Sequence, residues 1–257
     1  MKKSVFPSLR QLTFVTGACL SLSGFSVPAY ADSQSFTPEQ RKEIVNIVRD
    51  ALKTDPSILA DAVASMQAQA TAKQQSDALA AVRAHKDLFG QSNTDIVLGN
   101  PHGTLEVVEF YDPRCPYCRK VLPDLDKLVA SEHDLRLVEK IVPVLGPNSV
   151  LDARAILAAG EQHAYKEFQL ALMSDTASPS TDRIRRVAQH IGLNADQLIK
   201  DMQSPKVATA LHNNIELARS INLDGTPTFV FGDLQIVPGA VSLDELKTAL
   251  ARMRKSH

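Results

Sequence analysis

Leu105-Glu106-Val107-Val108-Glu109-Phe110-Tyr111, followed after a three-residue gap by Cys115-Pro116-Tyr117-Cys118, is the stretch on which the fold turns. The first segment is apolar and rich in β-branched and aromatic side chains, which reads as a strand. A helix is predicted to begin at the second segment, because Pro116 in a first helical position forfeits no hydrogen bond and sets the turn. Two cysteines at this junction make a dithiol that can open and close as a disulfide. Far downstream, Gly225-Thr226-Pro227-Thr228 leads into a second β-rich run, Thr228-Phe229-Val230-Phe231.

The spacing assigns the two sulfurs different tasks. Free N–H groups and the macrodipole at a helix N-terminus favour a thiolate. Cys115 is therefore expected to be the exposed nucleophile. Cys118, one turn further in, is placed to attack the Cys115 sulfur and release a mixed disulfide. Arg114, Arg119 and Lys120 add positive charge nearby, although basic residues in a first turn are often only solvated. Tyr117, between the cysteines, is expected to face solvent and touch substrate. Glu109 is an acid at the apolar end of its strand, on the face opposite Val108 and Phe110. Buried beneath the dithiol, it would exchange a proton with Cys118 at a raised pKa. On an edge it would be an ordinary solvated glutamate, and the residues alone leave both readings open.

Zinc is the rival use of a Cys-x-x-Cys, but it needs two further ligands. His102, His133, His163, His190 and His212 are scattered, with no His-x-x-x-His spacing. Neither a resident metal nor a cofactor is expected.

Three cysteines occur in the 257 residues. The third, Cys19, lies within an N-terminal segment that reads as a secretory signal over residues 1–31. Lys2, Lys3 and Arg10 precede or open an apolar stretch from Leu12 to Phe25, and Ala29-Tyr30-Ala31 offers small residues for cleavage. Thr16 stands where a lipoprotein signal usually carries Leu, so simple cleavage is preferred to lipid attachment at Cys19. Cleavage would leave Cys115 and Cys118 alone. A four-residue loop stabilises little by chain entropy, so this pair is there for chemistry rather than for stapling. Loss of the three basic residues leaves acidic side chains in excess, which gives no electrostatic reason to expect a nucleic-acid partner.

Residues 32–90 read as a helical extension. Thr37-Pro38-Glu39-Gln40 combines an N-cap, a first-turn proline and a capping-box glutamine. Ile44, Ile47, Val48, Ala51 and Leu52 then recur at helical spacing, and Asp55-Pro56 ends that helix. A second stripe, Leu59, Ala62, Val63 and Met66, thins to alanines before Leu79, Val82, Leu88 and Phe89. Such stripes fold back on the rest of the chain or pair between chains, and homo-oligomerisation through residues 36–89 is the preferred expectation. Gly90-Gln91-Ser92-Asn93 marks a boundary. Residues 91–257 then run β, helix, β, a helical insert over about 149–221, a hairpin and a last helix, an α/β order.

From about Asp95 to Ala251 the chain resembles the DsbA-like family of bacterial periplasmic disulfide oxidoreductases. The resemblance rests on Glu109-Phe110-Tyr111-Asp112 leading into the dithiol, on Gly225-Thr226-Pro227-Thr228-Phe229, and on the long insert between them. It implies a thioredoxin fold with an inserted helical domain, Cys115 as attacking thiol and a cis bond before Pro227. It further implies that Thr226 lines the substrate site and that Glu109 matches the buried acid found in many members. The strongly oxidising monomeric member usually has His in the dipeptide and Val before the cis-proline, whereas this chain has Tyr117 and Thr226. With its helical extension it looks more like the ScsC-type proteins linked to copper tolerance, some of which oligomerise and act as isomerases or reductases. Three activities follow as expectations: an oligomeric periplasmic isomerase or reductase, a monomeric oxidase, or a copper- or client-binding module. The implied partners are unfolded or misoxidised exported proteins and a membrane redox protein.

Overall fold

The computed structural model describes residues 36–85, 89 and 95–256. The expected signal at 1–31, with Cys19, and the boundary at Gly90–Asn93 lie outside the described residues. Among the described residues fourteen elements run in the order α1 (Pro38–Thr54), α2 (Ser57–Ala84), β1 (Ile96–Gly99), β2 (Leu105–Tyr111), α3 (Pro116–Ser131), β3 (Leu135–Ile141), α4 (Pro147–Gly160), α5 (Tyr165–Ser174), α6 (Thr181–His190), α7 (Ala195–Asp201), α8 (Pro205–Ser220), β4 (Thr228–Phe231), β5 (Gln235–Pro238) and α9 (Leu243–Ser256). No described helix is long and apolar enough to cross a membrane.

Five strands form one mixed sheet in the order β1-β3-β2-β4-β5. β2 and β3 are parallel, the other neighbours antiparallel, and Glu109 stands in register with Glu139. This is the α/β thioredoxin arrangement. α3 and α9 cover one face, where Val121, Leu125, Leu128, Leu246 and Leu250 meet Val107, Leu137 and Phe229. On the other face Leu217, Ala218 and Ile221 pack with Val82 and Phe89 against Val108, Phe110, Val138 and Val230. From Val107 onward β2 is therefore buried on both sides, and Glu109 has no solvent face to occupy. Helices α4 to α7 build a third cluster that reaches the sheet at Tyr111 and Ile141, the C-terminal ends of the parallel strands, and closes over Cys115 and Cys118.

The chain divides into two compact units at Ala60/Asp61, inside α2. In the first, Thr37 Oγ1 accepts from the Gln40 N–H (3.2 Å) and Gln40 Oε1 accepts from the Thr37 N–H (2.9 Å), the expected capping box. None of the α1 residues is buried. Residues from Asp61 onward belong with the sheet. Ala78 and Val82 are buried there, and the Phe89 ring meets Phe110 edge-on at 6.3 Å. The last turns of α2 and Phe89, grouped with the extension on sequence, thus supply core side chains to the sheet domain.

Candidate active site

The turn before the dithiol is tied down by Asp112, a fully buried carboxylate. It accepts from the Arg114 N–H (2.7 Å) and from the Leu145 N–H (3.0 Å), which joins the β2–α3 turn to the β3–α4 turn. The Asp112 carbonyl accepts from the Cys115 N–H (3.0 Å), and Cys115 then caps α3 with Pro116 in its first turn. Both thiols are free. The Thr226-Pro227 bond is cis. The Thr226 carbonyl accepts a hydrogen bond from the Cys115 thiol at 3.2 Å, across 111 residues of sequence. Tyr117 projects outward, 64% exposed.

Cys115 differs from its expected exposure: only 6% of its surface is accessible. The Thr226 carbonyl and the helical insert, neither visible in the local sequence, cover the rest. Two of the three neighbouring bases also have partners of their own. Arg114 reaches the buried Asp152 (3.3 Å), and Arg119 Nε donates to the Pro113 carbonyl (3.2 Å). Asp152 in turn holds Arg183 through both carboxylate oxygens (3.1 and 3.2 Å). The buried Arg183 guanidinium also donates to Asp175 and to the Leu172 carbonyl. An ion-pair chain thereby connects the dithiol turn to α4, α5 and α6.

Beneath the dithiol lie two buried acids, Glu109 and Glu139, in register on β2 and β3. Burial, and then the Glu109 carboxyl, hold the Cys118 thiol far above the ordinary thiol range. Glu109 is itself buried, and burial together with the Glu139 carboxyl raises it well above ordinary carboxyl values. The structure therefore favours the buried reading of Glu109. Glu139 carries the same signal in the sequence, an acid within a strand whose neighbours Leu137, Val138 and Ile141 are apolar. Asp152, Tyr165, Gln169 and Arg183 carried no such signal, because helical periodicity does not say which polar residue turns inward.

The DSBA-like thioredoxin domain matches residues 106–251. The chain belongs to this family. Its extension is similar to the copper resistance protein ScsC N-terminal domain, which matches residues 40–73. Among solved structures, a thioredoxin-like oxidoreductase from Silicibacter pomeroyi DSS-3 is 38% identical with a TM-score of 0.63, covering 66% of this chain and 97% of that one. Proteus mirabilis ScsC in a transitional conformation is 27% identical with a TM-score of 0.63, covering 87% of this chain and 99% of that one. A candidate protein-disulfide oxidoreductase of Rickettsia conorii is 25% identical over 182 residues, which is 66% of this chain and 64% of that protein. The chain spans between 21% and 64% of the length of the first curated relatives it matches. Within the DSBA-like family the DsbA-type turn and the ScsC-type extension thus occur together in one chain.

Proposed function

We propose that this chain is an exported, periplasmic thiol-disulfide oxidoreductase that exchanges disulfides with protein clients through Cys115 and Cys118, in the isomerase or reductase direction and as a homo-oligomer. The observation that carries the reading is the Cys115 thiol at the N-cap of α3, facing the Thr226 carbonyl beside cis-Pro227. Cys115 takes the mixed disulfide, Cys118 resolves it, and Glu109 exchanges the Cys118 proton. Thr226 and Pro227 pair with an extended client segment, and Tyr117 meets its side chains. Direction is the finer part of the proposal. It is supported by the likeness of residues 40–73 to the ScsC N-terminal domain and by a row of exposed apolar residues, Ile44, Ile47, Val48 and Leu52, on α1. Several dithiols on one assembly raise the effective concentration around a client, which favours shuffling over single oxidation.

Refolding of a scrambled-disulfide client by the full chain, with its mass measured in solution, tests this. Val48→Glu combined with Ile47→Glu should give a monomer that loses isomerase activity and keeps dithiol exchange. A full-length protein already monomeric at micromolar concentration moves the oxidase reading ahead. Stoichiometric copper retained through purification, without client turnover, would favour the binding-module reading instead.

A further inference from the structure

Glu109 and Glu139 point from adjacent parallel strands onto the same covered face, directly in register and both buried. No lysine or arginine is hydrogen-bonded to either among the described residues. The groups that face the pair are Cys118 from α3, Tyr111 from β2, and Tyr165 and Gln169 from α5. The half-buried ion pair Asp126–Lys166 (2.8 Å), between α3 and α5, lies further out. Tyr111 and Tyr165 bond each other through their hydroxyls at 2.6 Å. Gln169 Nε2 donates to Glu139 Oε2 at 3.3 Å, yet Glu139 Oε1 and Gln169 Oε1 are buried acceptors without a hydrogen-bond partner. Two orphaned acceptors at one place are costly, and they call for a donor. A proton on Glu139 turns that acceptor-only group into one.

We infer that Glu139 is the second half of a two-carboxyl acid beneath the dithiol: Glu109 hands its proton to the Cys118 thiolate, while Glu139 keeps its own and donates it to the carboxylate left behind. This rests on the dithiol reading above and concerns the step in which the enzyme disulfide opens. A client thiolate attacks Cys115 Sγ. The client–Cys115 S–S bond forms as the Cys115–Cys118 bond breaks, and its electron pair leaves on Cys118 Sγ. That sulfur is buried and does not hold negative charge well. Glu109 O–H protonates it, and the charge passes to Glu109. A hydrogen bond from Glu139 O–H then holds the carboxylate, of the strong charge-assisted kind. Solvent later returns one proton to the pair. In the reverse direction the carboxylate takes the Cys118 proton and the same bond is released. Glu139 touches neither client nor sulfur in this scheme, so it is a positioning residue.

In the resting pair the hydrogen bond between the two carboxyls raises Glu109 and lowers Glu139, so Glu109 is the donor until it gives its proton to Cys118, and the direction of that bond then reverses. Burial raises both acids, and Glu139 is pushed up to about 8, so both carboxyls carry protons at neutral pH.

The test uses full-length protein, its Glu139→Gln and Glu109→Gln variants, and the double variant. Infrared spectroscopy counts protonated carboxyls through their carbonyl stretch, and stopped-flow follows opening of the enzyme disulfide by a client thiol. Near neutral pH, above the ordinary carboxyl range and below about 8, two protonated carboxyls are expected in the wild type, one in each single variant and none in the double. Glu139→Gln should slow opening roughly tenfold through kcat, leave KM unchanged and displace the pH step. A wild type whose pair is ionised at neutral pH overturns the inference, as does a folded Glu139→Gln protein with an unmoved pH profile. A protein with no dithiol exchange at all would overturn the proposed function, and the carboxyl count would still decide the state of the pair.

Discussion

Helices α1 and α9 have similar length and equally clear amphipathic stripes, yet they end in opposite situations. α9 lays Leu246, Ala249, Leu250 and Met253 on the sheet and buries all four. α1 carries Ile44, Ile47, Val48 and Leu52 at the same kind of spacing and buries none of its residues. Periodicity therefore states that a helix has an apolar face without stating what, if anything, covers it. A stripe this apolar left in water is a standing invitation to association. A buried leucine, by contrast, is worth roughly 1.5–3 kcal/mol to the fold that covers it.

Substitutions can break that contrast. The largest effect is expected inside the sheet domain: Cys115→Ser should abolish client exchange while leaving solution mass and thermal unfolding unchanged. Retained exchange would move the nucleophile to Cys118. Next, Leu250→Ala should cost roughly 2–5 kcal/mol in denaturant unfolding, whereas Ile47→Ala should stay within about 0.5 kcal/mol at dilutions that favour monomer. A large loss at Ile47 under those conditions would mean that α1 is covered within its own chain.

Glu139→Gln sharpens the comparison within the core itself. Between the ordinary carboxyl value of 4.5 and about 8, the folded protein holds a proton on Glu139 that the unfolded chain has released. Stability is thus fully present below the lower value and falls as pH rises toward the upper one. The variant should match wild type near the lower end and exceed it above the upper end, by on the order of a few kcal/mol. Equal stability across the window would show that the acid ionises freely when folded. The smallest effect is expected at the start of α1, where Thr37→Ala removes one side of the capping box and should cost about 1 kcal/mol of helix stability. Circular dichroism together with a weakened association constant would report it.

These residues also mark how far the sequence could be read. The strand–dithiol–helix turn was legible because each of its signals is local: an apolar run, Pro116 at a helix start, and two cysteines one turn apart. The order of elements followed from periodicity and turn residues alone. Long-range contacts were not legible. Cys115 loses its exposure to Thr226, which is 111 residues away, and the β2–α3 turn is fastened by Asp112 to Leu145, 33 residues away. Phe89 reads as the last apolar residue of the extension's stripe until Phe110 is seen across from it. Glu139 was legible in principle by the rule that singled out Glu109. An acid in a doubly covered strand is conspicuous only once the strand is known to be central, and that depends on the sheet order.

The narrow opening over Cys115 also bears on how the protein ages. Peroxide reaches a sulfur from any unobstructed direction, and a fully open reactive thiolate can be carried past the disulfide stage to sulfinic acid, from which few proteins return. At 6% accessibility, with Thr226 on one side and the insert on another, Cys115 offers an aperture rather than a surface. An extended peptide laid along the Thr226 backbone can bring its own sulfur to that aperture. A freely diffusing oxidant gains no such guidance. On the proposed reading, the wall that restricts the clients doubles as protection against wear.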